Sequence, residues 1–391
     1  MSEWPMVKLG EVCSISIGKT PARKEPRYWG EGLPWLSIKD MNQGSLILKT
    51  TESISQIALD ELKITPYSVG TVLFSFKLSI GKVGITAVPL FTNEAIAAIE
   101  PKEQEALNKY YLMEVLREVG KTVEGNAAVM GVTLNKKSLA KLTIPLPPLG
   151  EQKRIAEMLG EASKTIKDTE NTIHNAQGLK RSALSDILNN KSGEYVQLSQ
   201  ISSVQSGITK GRKVQNGITL IPTPYMAVSN VKAGYLDLSE VKQIDASEAE
   251  VNRYQLQAGD ILLTEGGDPD KLGRGTIWRN EIPGAIHQNH IFRVRINPDS
   301  GFTSEALMAI LESAESKGYF LRSAKQTTGI SSINKRQLSA TPIPVLGKVQ
   351  IEELTNMWHK IDEVIELYRR KLSLLQELQK SLATRAFAGL L

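Results

Sequence analysis

The chain contains two long stretches in which apolar side chains recur every seven residues. The first runs through residues 151–188 without a proline, and the second runs through residues 348–391. This spacing places the apolar residues along one stripe of a helix, and a stripe sustained over about five heptads is typical of a coiled coil. The residues through which we expect the two helices to pair are Ile155, Leu159, Ala162, Ile166, Ile173, Leu354, Trp358, Ile361, Ile365 and Leu372.

A helix of about 38 residues is roughly 57 Å long and could not bury its apolar stripe alone. We expect the two helices to pair side by side and antiparallel, because a globular segment lies between them. Gly160 and Gly178 each lower the helix propensity of the first stretch by about 1 kcal/mol. We interpret them as points of close helix packing or of attachment for another protein.

The remaining sequence alternates short β-type runs with helical patterns. Residues 33–38, 70–75 and 259–264 are apolar runs bounded by glycine, proline or asparagine, whereas residues 109–119 and 305–316 have helical periodicity. Mixed α and β domains are therefore expected. Proline-rich segments precede both long helices, which fits a strand that ends and leads into a helix.

The sequence also contains one large unit twice. Leu9 and Gly18 return 189 positions later as Leu198 and Gly207, with similar neighbours. Further matched pairs are Pro34 with Pro224, Gly44 with Gly234, Gly131 with Gly329 and Asn135 with Asn334. Two copies of one unit imply approximate two-fold symmetry. Duplex DNA is the commonest partner with a two-fold character of its own.

These patterns predict an α+β fold class with two pseudo-two-fold-related mixed α/β domains joined by two long antiparallel coiled-coil helices. The predicted segments are a first domain at residues 1–150, a first spacer helix at 151–192, a second domain at 193–347 and a second spacer helix at 348–391.

Composition limits the class without naming it. The 391 residues carry a formal net charge of +5, which permits nucleic-acid binding but requires that DNA contacts come from local clusters of cations. No apolar run reaches the length of a membrane span, so we expect a cytoplasmic protein without membrane contact. The single cysteine, Cys13, excludes an internal disulfide and is expected to be a buried strand residue.

Motifs that would indicate an active site within the chain are mostly missing. The sequence has no glycine-rich dinucleotide loop, no phosphate-binding Gly-Lys-Ser/Thr loop and no amino-methyltransferase signature. His287 and His290 could be imagined as metal ligands, but no neighbouring cysteine or carboxylate completes a set, so a core or strand-edge role is favoured and no metal site is predicted. Residues 60–63 and 268–271 resemble nuclease carboxylate spacing, which arises often by chance in a chain that is 23% charged. An enzyme with its own active site is disfavoured.

Basic residues that recur at equivalent places in the two copies are the stronger signal. Loops of lysine, arginine, glycine and threonine can contact phosphates through lysines and backbone amides, and guanine through arginines. Solvated surface loops are the simpler alternative for any single cluster. The predicted DNA-binding residues are Lys19, Thr20, Arg23, Lys24, Lys77, Lys82, Lys136, Lys210, Arg212, Lys213, Lys271, Arg274, Lys335 and Arg336.

Given these residues, the chain resembles the specificity subunit of type I restriction–modification systems. The resemblance covers the whole length in the order domain, long helix, domain, long helix. It is most specific at residues 145–155, where Pro-Leu-Pro-Pro-Leu-Gly-Glu-Gln-Lys-Arg-Ile leads into the first helix. The second helix entry, residues 344–350, lacks the Pro-Pro and Glu-Gln pairs, so its cap or its partner contact is expected to differ.

The resemblance implies that each globular segment is a target-recognition domain that reads one half of a split double-stranded DNA sequence. It implies that the paired helices set the gap between the halves and dock two methyltransferase subunits, with restriction subunits as further partners. S-adenosylmethionine, ATP and magnesium would belong to those partners, and this chain would be a non-catalytic subunit without a cofactor. A coiled-coil scaffold whose two domains bind protein is the leading alternative, and a self-contained methyltransferase or nuclease is a third.

Overall fold

The computed structural model describes residues 4–77, 79–130, 134–189, 193–214, 217–267, 272–327 and 330–391. The chain divides into two compact units. The first unit consists of residues 1–169 together with residues 371–391, and the second unit consists of residues 170–370. Each unit therefore contains part of both long helices.

The first unit is a mixed α/β structure. Its strands are β1 (Met6–Lys8), β2 (Cys13–Ile17), β3 (Trp29–Leu36), β4 (Leu46–Ile47), β5 (Glu52–Ile54), β6 (Val72–Ser75), β7 (Val83–Thr86), β8 (Phe91–Thr92), β9 (Ile96–Pro101) and β10 (Thr143–Pro145). Its helices are α1 (Leu9–Val12), α2 (Gln56–Leu62), α3 (Lys109–Met130), α4 (Lys136–Ala140) and the first part of α5 (Leu149–Asn189), with 3₁₀ turns at Pro26–Tyr28 and Asp40–Gln43.

The second unit has a similar element order. Its strands are β11 (Tyr195–Gln197), β12 (Ser202–Ser206), β13 (Ile221–Met226), β14 (Val231–Lys232), β15 (Tyr235–Leu236), β16 (Lys242–Ala246), β17 (Ile261–Thr264), β18 (Gly266–Gly267), β19 (Gly275–Ile277), β20 (Ile286–His287), β21 (Ile291–Ile296), β22 (Lys325–Thr327), β23 (Ile330–Ser332) and β24 (Pro342–Pro344). Its helices are α6 (Leu198–Ile201), α7 (Glu248–Tyr254), α8 (Ser304–Glu312), α9 (Ala314–Ser323), α10 (Lys335–Ser339) and the first part of α11 (Lys348–Phe387), with a 3₁₀ turn at Pro298–Ser300.

The strand order shows that the two units are copies of one fold. In the first unit, β2, β9, β6 and β7 are neighbours in one sheet, and β5, β3 and β8 form a second sheet. In the second unit, the orders β12-β21-β17-β19 and β16-β13-β20 repeat both arrangements. The short antiparallel pair β1 with β10 is likewise repeated by β11 with β24. The α+β fold class predicted from the sequence is confirmed.

Each unit has its own core, into which the long helices insert their ends. In the first unit, Ile155 and Leu159 of α5 and Ala386 of α11 are buried among the sheet residues and α3. Trp4 donates its indole N–H to the carbonyl of Ala386 at 2.9 Å, and Arg154 reaches the carbonyl of Leu391 at 3.5 Å. The first unit is thus closed by the C-terminal end of α11.

The second unit uses the opposite ends of the same helices. Leu184 and Leu188 of α5 and Leu354 and Trp358 of α11 are buried in its core. Of the remaining predicted helix-pairing residues, Ile365 is buried, and a further set is half-buried: Ala162, Ile166, Ile173, Ile361 and Leu372. Hydrogen bonds join the helices within each unit, Gln379 to Ser163 in the first and Lys180 to Asp362 in the second. Within the first unit, the contacts of Ser163 and Arg154 show that the helices run antiparallel.

Two helical predictions need correction. The pattern over residues 305–316 gives two helices, because Ser313 has extended backbone angles, ends α8 and caps α9 by accepting a hydrogen bond from Ser316 N–H. Helix α3 continues to Met130, well beyond residue 119. Gly160 and Gly178 also lack the predicted close packing. A Cβ at Gly160 would meet nothing within 4 Å, and one at Gly178 would meet only an Arg181 nitrogen at 4.0 Å.

Candidate nucleic-acid interface

Two loops of the predicted interface occupy equivalent places in the two units. We call residues 18–24 loop A and residues 207–213 loop B. Loop A leaves β2 and crosses β8, where Lys19 N–H donates to the carbonyl of Thr92 at 2.8 Å. Loop B leaves β12 and crosses β20, where Ile208 N–H donates to the carbonyl of His287 at 2.8 Å. Each loop therefore starts from a strand contact of the same kind.

This crossing explains why glycine recurs at positions 18 and 207. A Cβ at Gly18 would lie 2.1 Å from the Thr92 carbonyl oxygen, and one at Gly207 would lie 1.9 Å from the His287 carbonyl oxygen. Both separations are far below van der Waals contact, so only glycine lets the backbone pass so closely. The repeat detected in the sequence is thus a steric requirement of the loop crossing.

Loop A is further fixed by two tryptophans of β3. Trp35 donates its indole N–H to the carbonyl of Lys19 at 3.2 Å, and Trp29 donates to the carbonyl of Ala22 at 3.3 Å. The two rings meet edge to face with centroids 5.0 Å apart. Because the two indole N–H groups bind the loop backbone at two carbonyls, the loop has a defined conformation in the absence of DNA.

Arg23 lies against these rings and is paired with an acid. Its guanidinium carbon is 3.8 Å from the centroid of Trp29, and both terminal nitrogens donate to the carboxylate of Glu52, with Nη2 to Oε2 at 3.0 Å. The hydrogen bond to Glu52 raises the pKa of Arg23. Planar stacking and a two-point ion pair together hold the guanidinium in place.

A second acid, Glu94, interacts with several predicted DNA-binding residues of the first unit. The Thr20 hydroxyl donates to the Glu94 carboxylate. This hydrogen bond lowers the pKa of Glu94 most, and the positive charges of Lys77 and Arg23 lower it further. The structure therefore brings Thr20, Arg23 and Lys77 together. Lys82 instead donates to the carbonyl of Ile38 at 3.2 Å.

In loop B, Arg212 is also held by an acid. It donates through Nη2 to the Glu250 carboxylate at 2.6 Å and to the carbonyl of Asp245 at 2.9 Å. Glu250 is the third residue of α7 and also accepts from Ser247 N–H at 2.9 Å, which forms a capping box. These hydrogen bonds lower the pKa of Glu250 to about 2, and the bond from Arg212 has the largest effect.

The remaining predicted cations are distributed more widely. Lys19 and Lys24 in loop A and Lys210 and Lys213 in loop B have exposed side chains. A further exposed group follows the asparagine N-caps of α4 and α10: Lys136, Lys335 and Arg336. In the part of the chain that the structure describes, no hydrogen bond or ion pair joins these three to loop A or loop B.

The loop before β19 holds the last members of the predicted set. Arg274 is half-buried, and its Nε has no hydrogen-bond partner among the described residues. The two preceding carbonyls, those of Leu272 and Gly273, accept hydrogen bonds from Lys317 at 3.2 and 2.8 Å. Lys271 lies outside the described residues, as do Gly131 and Gly329 of the repeat.

Sequence reasoning missed the acids that pair with the candidate residues of loops A and B. Glu52, Glu94 and Glu250 were not predicted, because a carboxylate repels phosphate and is not expected in a DNA-contacting loop. The available signal was the Ser-x-x-Glu capping box at Ser247 and Glu250. For Glu52 and Glu94, which are far from loop A in sequence, we find no sequence signal.

The residues considered as metal ligands or as a reactive thiol make contacts within the fold. His287 is buried in β20 with Nδ1 3.1 Å from the carbonyl of Tyr254, whereas exposed His290 contacts Glu265. Cys13 is buried in β2, as predicted, and burial raises the pKa of its thiol to about 12. Among the described residues, no group of three or more histidine, cysteine, aspartate or glutamate side chains could hold a metal ion.

Comparison with known proteins shows what the first unit is similar to. Residues 1–176 match the model of the type I restriction modification DNA specificity domain. The match covers just under half of the chain, and this part is similar to type I specificity domains. The family resemblance inferred from the sequence is thereby confirmed, and the second unit repeats the strand order of this specificity domain.

Two curated relatives and one solved structure extend the match. The MjaIX specificity subunit of Methanocaldococcus jannaschii is 28% identical over 42% of this chain and 39% of its own length. The EcoKI specificity subunit of Escherichia coli is 23% identical over 63% of this chain and 57% of its own length. The chain thus spans less than two thirds of each relative. The type I S subunit from M. genitalium has a TM-score of 0.58 at 14% identity, with 99% of this chain and 96% of that chain covered, and shares its fold.

None of the described helices combines the length and the apolar character that a bilayer crossing demands.

Proposed function

We propose that this chain is the DNA-recognition subunit of a type I restriction–modification complex and that each unit reads one half of a bipartite DNA sequence. The observation that carries this proposal is the duplication: a unit that matches the specificity domain is followed by a second unit with the same strand order. Two similar but non-identical units suit a target made of two different half-sites.

Loops A and B support double-stranded DNA as the ligand. Both present exposed lysines on a backbone that is fixed before any ligand arrives. Lysines on such loops contribute phosphate contacts, which position a protein on the duplex, whereas sequence is read at base edges. Because phosphate contacts release counterions, the affinity for DNA should fall steeply as salt is added.

The long helices support the proposal that the chain docks two methyltransferase subunits. Helix α11 keeps four exposed apolar side chains at heptad positions: Val364, Leu367, Leu374 and Leu378. Apolar residues spaced in this way suit a partner helix. Adenine methylation with S-adenosylmethionine, and ATP- and magnesium-dependent cutting by a restriction subunit, would be the work of those partners. The chain itself would be non-catalytic.

A coiled-coil scaffold whose two domains bind protein is less well supported. It would not account for the equivalent lysine loops or for their fixed backbone crossing in both units. It also has no counterpart among the matched relatives, which are specificity subunits by name.

Methylation mapping tests the proposed function. The chain would be expressed together with a type I methyltransferase subunit that it binds, in a host without adenine methylation, and the DNA would be sequenced for modified bases. We expect one split sequence with two short defined halves. Exchange of the segment from loop A to Lys82 for that of a relative should change one half only.

Two controls make the mapping decisive. The methyltransferase expressed alone should leave the DNA unmodified, and co-purification should show that the two proteins associate. Unmodified DNA in the presence of an associated, soluble partner would overturn the proposed function and favour the scaffold.

A further inference from the structure

An arginine–glutamate ion pair connects each loop to the rest of its unit. Arg23 in loop A binds Glu52 of β5, and Arg212 in loop B binds Glu250 of α7, the helix that follows β16. Strands β5 and β16 occupy equivalent outer positions of the three-stranded sheets β5-β3-β8 and β16-β13-β20. The two glutamates therefore approach their loops from the same side of the fold, although they are not equivalent in sequence.

The geometry commits two nitrogens of each arginine to contacts within its own unit. The Nη1 and Nη2 groups of Arg23 both donate to Glu52, and its flat face lies on Trp29. Nε and Nη2 of Arg212 donate to Glu250, and Nη2 also donates to the Asp245 carbonyl. A bidentate contact to guanine uses one two-donor edge of a guanidinium, and in each arginine the glutamate already occupies one such edge.

The glutamates are equally informative. A carboxylate beside a DNA-facing loop repels phosphate, so removing it should strengthen binding unless the carboxylate maintains the structure of the loop. Glu250 is strongly engaged: it accepts from Arg212, from Ser247 N–H and from the Ser247 hydroxyl. Its charge serves contacts within the unit.

We propose that Arg23–Glu52 and Arg212–Glu250 are braces that hold loops A and B in their DNA-binding conformation. Arg23 and Arg212 are then positioning residues, which differs from the DNA contact predicted for them from sequence. The neighbouring lysines make the phosphate contacts, Lys19 and Lys24 in loop A and Lys210 and Lys213 in loop B. This inference rests on the proposed function and deepens it.

A double-mutant cycle in the second unit separates a brace from a direct contact. R212Q, E250Q and the double variant would be prepared in the full chain with its methyltransferase partner, and the dissociation constant would be measured for a duplex that carries the mapped sequence. E250Q keeps an amide oxygen that can accept from Ser247. E248Q is the matched control, because Glu248 lies exposed in the same first turn of α7.

The brace predicts a decrease in affinity on removal of either partner. R212Q and E250Q should each weaken binding about tenfold, the cost of ordering roughly one more backbone residue on binding. The double variant should be no weaker than the weaker single variant, because one interaction is lost in all three. E248Q should bind as well as the wild type or more tightly. The salt slope should stay unchanged in E250Q and fall by about one unit in K213Q.

The same test can be made in the first unit with substitutions that should not disturb folding. The side chains of Arg23 and Glu52 are 52% and 38% exposed, so their ion pair adds little to global stability. R23Q and E52Q should keep the wild-type melting temperature and still weaken binding. The methylated half-site read by the second unit should remain in the map.

The outcomes distinguish the brace from the function on which it rests. Tighter or unchanged binding by E52Q and E250Q, with loss of binding by R23Q and R212Q, would overturn the brace and return the arginines to direct DNA contact. A wild-type complex that produces no split methylation pattern would instead reject the proposed function.

Discussion

Single residues explain why the two units share a sequence pattern. Gly18 and Gly207 recur because each loop passes over a strand carbonyl that a Cβ would strike. A recurrence of this kind could be found in the sequence, although its reason could not. The acids that pair with Arg23, Arg212 and Thr20 come from elsewhere in the chain, so no pattern within loop A or loop B revealed the pairing, and only Glu250 carried a local signal, its capping box. The assignment of these cations to DNA contact therefore stays a prediction, and the sequence could not show which of them are already paired within the protein.

His287 should make the second unit sensitive to acid. Burial lowers the pKa of its imidazole to about 4 from an ordinary 6.5, so the native state keeps the ring neutral while the unfolded chain protonates it. The stability of the native state should then decrease as the pH falls from about 6.5 to about 4, by at most about 3 kcal/mol. The free energy of unfolding by urea at several pH values measures this loss.

The substitution H287Q provides the comparison. The variant has no imidazole to protonate, while its carboxylates still titrate as in the wild type. Across pH 7 to 4 the wild type should lose more stability than H287Q. Parallel pH profiles for the two proteins would contradict a buried, neutral His287.

At the scale of elements, heptad spacing predicted both long helices, but the pairing uses polar residues as well. Lys180 interrupts the apolar pattern of α5, yet its ammonium lies 2.9 Å from Asp362 and over the ring of Trp358. Burial lowers the pKa of Lys180, and the negative charges of Asp362 and Glu312 oppose that shift. A lysine in a heptad is normally read as exposed, so only the tertiary contacts identify this one as part of the helix interface.

Replacing Lys180 with methionine should destabilise the second unit. The change would leave Asp362 without its ion-pair partner and the half-buried Glu312 without the positive charge that lowers its pKa most. A broken buried pair is costly even where the intact pair adds little. We expect the free energy of unfolding to fall by about 2 kcal/mol, less than for a fully buried pair because Asp362 is partly exposed. Chemical denaturation checks this value. K360M, at an exposed lysine of α11, is the control and should change it by less than about 0.5 kcal/mol. A K180M variant as stable as K360M would show that the buried charges need no partner.

The whole molecule was the most predictable level. Duplicated motifs and two heptad segments gave the order of segments and the fold class, since both are long-range regularities that survive local divergence. The predicted borders separate globular segments from helices, which is a different division from that into compact units, and they stay a prediction. Predicted borders followed the ends of helices, whereas the contacts assign the first 21 residues of α5 to one unit and the remainder to the other.

Lengthening the helices should change the DNA sequence that is methylated, if the proposed function holds. Seven residues inserted into each helix, after Thr169 and after Arg370, add about 10.5 Å and preserve the heptad register. The gap between the two half-sites should lengthen by about three base pairs, as each base pair adds about 3.4 Å. Methylation mapping reads this gap directly. Replacement of one heptad by a different heptad of equal length is the control. An unchanged gap in the insertion variant would show that the helices do not set the distance between the half-sites.

The closure of the first unit by the end of α11 has a consequence for biosynthesis. Residues 170–370 are continuous, so the whole of the second unit has been synthesised before residues 371–391 of the first unit are added. The first unit lacks the partners of Trp4 and Arg154 until Ala386 and Leu391 are made. Domains usually fold in the order of their synthesis. Here the first unit is completed last. Part of its core stays uncovered while about two hundred residues of the second unit are translated.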